Sequence, residues 1–133
     1  MVITREADYA IRCILYLSNN DGQISMVEGI AQEMNIPRSF LAKILQKLVR
    51  ASLVKSFRGV KGGFKLAKAP SEISLLDVVE AIEGQVAMNL CALDKPLCDR
   101  SDFCPIHPVW VDIKKDVRKM LRKYNFGRWR SKS

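Results

Sequence analysis

Residues 37–53, PRSFLAKILQKLVRASL, constrain the fold of this chain more than any other stretch. Phe40, Leu41, Ile44, Leu45, Leu48 and Val49 recur at the three-and-four spacing of one helical face. Ser39, Lys43, Gln46, Lys47 and Arg50 form the other side. Such a helix needs a core behind it and leaves a polar, basic surface in front. Pro37 pre-sets its first turn, and NIP before it makes a tight turn. A shorter helix is expected ahead of that turn, from Ser25 to about Met34. Its SMVE start reads as a capping box, Ser25 and Glu28 satisfying each other's free backbone N–H groups. Two short helices joined by a tight turn make a helix-turn-helix, whose second helix can enter a major groove.

The flanking segments extend this reading. LVKSF at 53–57 and FKLAK at 64–68 read as short strands around RGVKGG, a glycine-rich basic turn. Helix-turn-helix followed by a basic hairpin is a winged helix, with Arg58, Lys61 and Gly62 in the tip. An ordinary hairpin with a solvated tip is the plainer alternative. Residues 4–18 form a first helix capped by Thr4, with Ala7, Ala10, Ile11, Ile14 and Leu15 on one face. Cys13 lies on its apolar side and reads as core. SLLDVVEAIE at 74–83 is a further helix, capped by Ser74 and Asp77 and ended by Gly84. A last helix runs from about Pro105 to Tyr124. Val109, Ile113, Val117, Met120 and Tyr124 make one narrow apolar stripe among lysines and arginines. That pattern favours a seam between two subunits over packing on its own domain. The tail GRWRSKS is expected to fray. The expected architecture is therefore mainly α with a small β-hairpin wing: a winged helix-turn-helix over 1–84, a cysteine-rich loop over 85–107, a dimerisation helix over 105–124 and a tail over 125–133.

Charge supports a polyanionic partner. The 133 residues carry a formal charge of +8, and nine basic residues but no acidic one lie between Glu33 and Glu72. Each phosphate neutralised by such a stretch releases counterions, so double-stranded DNA fits it. A basic face kept for solubility is the alternative. No apolar run approaches the roughly 20 residues of a membrane span. The acidic MVITREAD start does not resemble a secretion signal, so a cytoplasmic protein is expected.

Residues 91–107, CALDKPLCDRSDFCPIH, hold three of the four cysteines and the single histidine. The spacing is Cys91-x6-Cys98-x5-Cys104-x2-His107. A reducing compartment argues against disulfides. A catalytic thiol needs a base and an orienting group, and neither is marked here. No phosphate loop or carboxylate pair points to an enzyme. Structural zinc prefers tighter cysteine pairs and remains possible. Soft thiolates beside an imidazole also suit an iron–sulfur cluster, which is favoured over zinc. Cys104 and His107 stand three residues apart at a helix start, on one side of it.

The chain resembles the IscR/NsrR family of winged-helix iron–sulfur transcription regulators over nearly its whole length. ADYAIRCILYLS, IPRSFLAKILQKLVRASLVKSFRGVKGGFKLAK, LLDVVEAIEG and the three cysteines followed by HPVW carry the resemblance. It implies a homodimer on a partly palindromic operator, and a sensor of iron, redox or nitric oxide status, with repressor activity among the family's roles. Cys91, Cys98 and Cys104 match the cysteine ligands, and His107 matches the histidine of the IscR type. Asp8 matches the aspartate that completes the cluster from the partner subunit in the NsrR type. The resemblance favours [2Fe–2S] and admits [4Fe–4S]. Arg38, Ser39 and Lys43 fall on the base-reading turn, with Gln46 and Lys47 further along the same polar side. Cluster-free sensing by thiol oxidation or zinc is the competing reading. An electron carrier is the third, and it would need neither the basic helix nor the wing.

Overall fold

The computed structural model describes residues 3–86 and 102–129. Three helices come first: α1 (Arg5–Asn19), α2 (Val27–Met34) and α3 (Arg38–Arg50). An antiparallel hairpin follows, β1 (Val54–Phe57) and β2 (Gly63–Leu66), with Val54 opposite Leu66 and Phe57 opposite Gly63. A 3₁₀ turn at Pro70–Glu72 leads into α4 (Leu75–Glu83), and the long helix α5 spans His107–Lys123. This is a winged helix-turn-helix with an appended C-terminal helix. Among the described residues no helix is long and apolar enough to cross a membrane.

One core unites the first four helices and the hairpin. Ala10, Ile14 and Leu17 of α1 meet Ile30 of α2, Leu41, Ile44, Leu45 and Leu48 of α3, Val54 and Leu66 of the wing, and Val78 of α4. The apolar spacing of each helix dictates which side turns inward. Thr4 caps α1 by accepting from Ala7 N at 3.2 Å. At α4 the capping box is complete: Ser74 Oγ accepts from Asp77 N and Asp77 Oδ2 accepts from Ser74 N. A second, smaller cluster of Leu76, Val79 and Val86 lies under Val117 and Leu121 of α5.

The structure departs from the sequence reading at five places. The box expected at Ser25 and Glu28 does not form. Ser25 instead exchanges two backbone hydrogen bonds of 2.8 Å with Phe64, adding a third edge to the wing. A Cβ on Gly63 would strike the Ser25 carbonyl oxygen, so this close approach requires glycine. The third helix stops at Arg50 rather than continuing to Leu53. Ser52 turns left-handed (φ 62°) and Leu53 N donates to Leu48 O at 3.0 Å, a Schellman-type stop that frees Leu53 to enter the core. Phe40 and Val49 are only partly covered; Phe40 lies edge-on to Tyr9 of α1. The apolar stripe of α5 is not wholly free for a second subunit, because Val117 packs on α4 of its own domain.

The fifth departure is the tail as far as Trp129; residues 130–133 lie outside the described residues. Tyr124 O accepts from Leu75 N at 2.9 Å, and Phe126 N donates to Ile73 O at 3.0 Å. Phe126 is fully buried in the main core, and Trp129 packs edge-on against it. The segment Phe126–Trp129 forms a 3₁₀ turn docked beside Pro70–Glu72, so apolar burial and backbone pairing hold it in place.

Candidate DNA interface and cysteine-bearing helix start

The first turn of α3 and the wing enclose an open groove of about 570 Å³. Arg38, Ser39 and Ala42 line one wall, Phe57 and Gly62 the other, and Glu28 of α2 closes one end. Arg38 is the first residue of α3, and its Nη2 donates to Glu28 Oε1 at 2.7 Å. Lys43 and Gln46 continue along the exposed side of the helix. Arg58 and Lys61 are exposed in the hairpin turn, flanking Val60, which is 97% exposed at its tip. Gly62 N donates to Gly59 O at 3.0 Å, and a Cβ on Gly62 would collide with the Phe57 carbonyl oxygen. The turn therefore closes tightly, and its backbone can approach a ligand.

The structure thus brings Arg38, Ser39 and Gly62 to one groove and leaves Lys43, Gln46, Arg58 and Lys61 open to solvent around it. Lys47 is placed differently. Its Nζ donates to Glu6 Oε1 of α1 at 2.8 Å, and the pair is half-buried. Lys47 braces α1 against α3. Glu28 is the groove residue that sequence reasoning missed. Its three-residue spacing from Ser25 suggested a cap and concealed its partnership with Arg38, ten positions on.

Of the thiol segment, Cys104 and His107 lie among the described residues; Cys91 and Cys98 lie outside them. Cys104 is a half-buried free thiol just before α5. His107 opens α5, and its backbone N donates to Cys104 O at 3.2 Å, so the two share one turn. His107 Nδ1 is buried and has no hydrogen-bond partner among the described residues. Asp8 is exposed on α1 and accepts from Arg12 Nη2 at 3.2 Å. Among the described residues no three histidine, cysteine or acidic side chains converge as a metal site. Cys13 is a different kind of cysteine. It is fully buried in α1, and burial pushes its thiol up to about 12, so it stays protonated in the core.

Comparison with known proteins agrees with this geometry. The Rrf2 family model, described as an iron-dependent transcriptional regulator, matches residues 3–128. An HTH-type transcriptional regulator of Aquifex aeolicus is 32% identical over 126 residues, covering 92% of this chain and 86% of its own length. An rrf2-like regulator of Rhodobacter capsulatus is 35% identical over 121 residues, covering 84% and 81%. Among solved structures, CymR, the global cysteine regulator of Bacillus subtilis, superposes with a TM-score of 0.75 at 23% identity, covering 96% of this chain and 94% of that one. IscR of T. potens superposes at 0.74 and 23% identity, covering 96% and 84%. These two structures share the fold: the helical winged architecture with its two-stranded hairpin. The curated relatives are transcriptional regulators and not enzymes. With helix-turn-helix, wing and C-terminal helix all inside the matched span, the chain belongs to the Rrf2 family of transcriptional regulators.

Proposed function

We propose that this regulator reads iron, redox or nitric oxide status through an iron–sulfur cluster held by Cys91, Cys98, Cys104 and His107. The observation that carries the reading is His107 Nδ1, buried without a hydrogen-bond partner among the described residues and one turn from Cys104. A buried polar atom left unpaired costs about 1–3 kcal/mol, and metal ligation removes that cost. Thiolate sulfur with imidazole nitrogen is a soft donor set that suits iron–sulfur centres. The residues present therefore fit the group. When bound, it would supply a redox-active, oxidant-sensitive centre; Cys104, in the turn ahead of α5, and His107, the first residue of α5, would supply two of its donors. Asp8, held by Arg12 within its own subunit, is the alternative fourth ligand in a dimer. The favoured cluster is [2Fe–2S], and the partner is an operator in cytoplasmic double-stranded DNA, bound by a homodimer through Arg38, Ser39, Lys43, Gln46, Arg58, Lys61 and Gly62. Lys47 supports α3 from behind.

Fold similarity does not choose between cluster and cluster-free sensing, since CymR and IscR superpose equally well at 0.75 and 0.74. The donor set does. The test is anaerobic purification with iron, sulfide and zinc analysis of the intact protein and of two variants. The expected result is a coloured protein with iron and sulfide, lost in His107→Ala and retained in Asp8→Ala. The reverse pattern moves the fourth ligand to Asp8. A colourless protein containing zinc, or no metal, overturns the cluster.

A further inference from the structure

Glu28 is the acidic residue among those lining the groove between α3 and the wing. A carboxylate there opposes the approach of a polyanion, so affinity alone gives no reason for it. Capping does not involve it, because α2 begins after Met26 and has no side-chain cap; its charge in the first turn of α2 does suit that helix's dipole, which accounts for an acid there but not for its arginine partner. Arg38, by contrast, is misplaced on local grounds. It opens α3, whose first turn holds no acidic residue and whose N-terminus lacks a side-chain cap. A cation at that positive end of the helix dipole is disfavoured. Arg38 makes sense through Glu28: its Nη2 donates to Glu28 Oε1 at 2.7 Å, and both side chains remain mostly exposed, at 68% and 59%.

We infer that Glu28 is a specificity-determining residue that acts through Arg38. An arginine carries five N–H donors in a planar fork, and Glu28 engages one nitrogen of it. The rest of the fork stays available in the groove, held in one orientation. A fork so held can meet the N7 and O6 acceptors of a guanine. Swinging away to a backbone phosphate means surrendering the carboxylate, so contacts that carry no sequence information are penalised. The pair lowers non-specific affinity more than operator affinity, and specificity is that difference. This inference rests on the DNA-binding reading of Arg38.

The experiment takes the duplex that the wild-type protein enriches from a random pool as operator, and poly(dA–dT), which has no guanine N7/O6 pair, as non-operator DNA. Affinities for both are measured against salt for wild type, Glu28→Gln, Arg38→Ala, Arg38→Lys and the Glu28→Gln/Arg38→Ala double variant, with thermal unfolding of each. Glu28→Gln is expected to tighten poly(dA–dT) binding roughly 3-fold at low salt and to steepen its log–log salt slope by about 1, as one released arginine finds a phosphate. The operator preference is expected to fall by at least about 5-fold, the weak end of a base contact. In the Arg38→Ala background the same substitution removes an unpaired carboxylate and is expected to tighten both DNAs alike, leaving the operator preference unchanged. Arg38→Lys keeps the charge and loses the fork, so it is expected to lower the preference with little change in slope. Equal weakening on both DNAs by Glu28→Gln, or a loss of operator preference that survives Arg38→Ala, overturns the inference and leaves the DNA-binding reading standing. Wild-type protein that binds neither DNA removes that reading, and the role of Glu28 with it.

Discussion

Helices α3 and α5 carry the same kind of sequence, an apolar stripe on an otherwise basic rod, and the structure treats them differently. Leu41, Ile44, Leu45 and Leu48 of α3 are all essentially inaccessible, whereas no residue of α5 is fully buried. The stripe of α5 is divided. Val117 and Leu121, in its C-terminal half, rest on Leu76, Val79 and Val86. Val109 and Met120 remain 49% and 55% exposed. Periodicity reports that a helix has an apolar side and does not report what covers it. For α3 the cover is the chain's own core, and its polar side is left for a ligand. For α5 the cover is partly a shelf on α4, with an outward remainder that the proposed dimer would use. Cys104 and His107 sit at the outward end, so a change there acts on the less tightly held helix.

That contrast has a measurable form. Leu45→Ala in α3 is expected to cost about 2–5 kcal/mol of folding stability, since it opens a cavity among side chains with little room to collapse. Chemical unfolding of the intact protein reads this as a lower midpoint at unchanged slope. A loss under about 1 kcal/mol would place α3 outside the core and cancel the comparison.

The joint between the two regions is Glu80. Its Oε1 and Oε2 accept from Arg118 at 3.0 and 3.2 Å, and Oε2 also accepts from Val86 N at 2.9 Å. One carboxylate thus ties α4, α5 and the chain leading toward the cysteines. Both side chains of the pair are about a quarter exposed, at 23% and 29%, so solvent screens it only in part. Glu80→Ala is expected to cost about 1–2 kcal/mol, from the ion pair and the stranded Val86 N–H. Glu80→Gln keeps an acceptor for Val86 and should recover part of that loss. Equal losses in the two variants would assign the joint to charge alone.

The parts legible in the sequence were those governed by local rules. The cap of α1, the capping box of α4 and the stripe of α3 follow from neighbours three and four residues apart. The hairpin followed from its glycines. What was not legible depends on partners distant along the chain. Ser25 looked like a cap until Phe64, 39 positions away, supplied strand pairing. Glu28 turned to Arg38, and Lys47 to Glu6 across the helix pair. The polar segment after α5 hid Phe126, whose burial depends on a groove beside Ile73 that no window around it reveals. Of the candidate ligands, Cys104 and His107 were expected on one side of a helix start; the helix begins at His107, and Cys104 precedes it in a backbone turn. The buried, unpaired Nδ1 is a tertiary property and needed the fold.

The smallest expected effect is at Val109, and it tests the outward half of α5. Val109 lies two residues after His107, two turns before Val117 on the same stripe, and is outside the cluster that Val117 and Leu121 join. Val109→Ser removes apolar surface that its own subunit does not bury. Folding stability of dilute protein is expected to change by no more than about 0.5 kcal/mol. Its consequence should instead appear in association. A dimer that covers this face makes the unfolding midpoint rise with protein concentration, by mass action. The substitution should weaken that dependence and shift sedimentation toward the monomer. Two results would break the comparison in opposite directions. A loss as large as that of Leu45→Ala in dilute protein would mean the stripe is closed within one chain. A wild-type midpoint independent of concentration, with a monomeric mass, would leave the face without a second subunit, and the two recognition helices could not span a palindrome as a preformed pair.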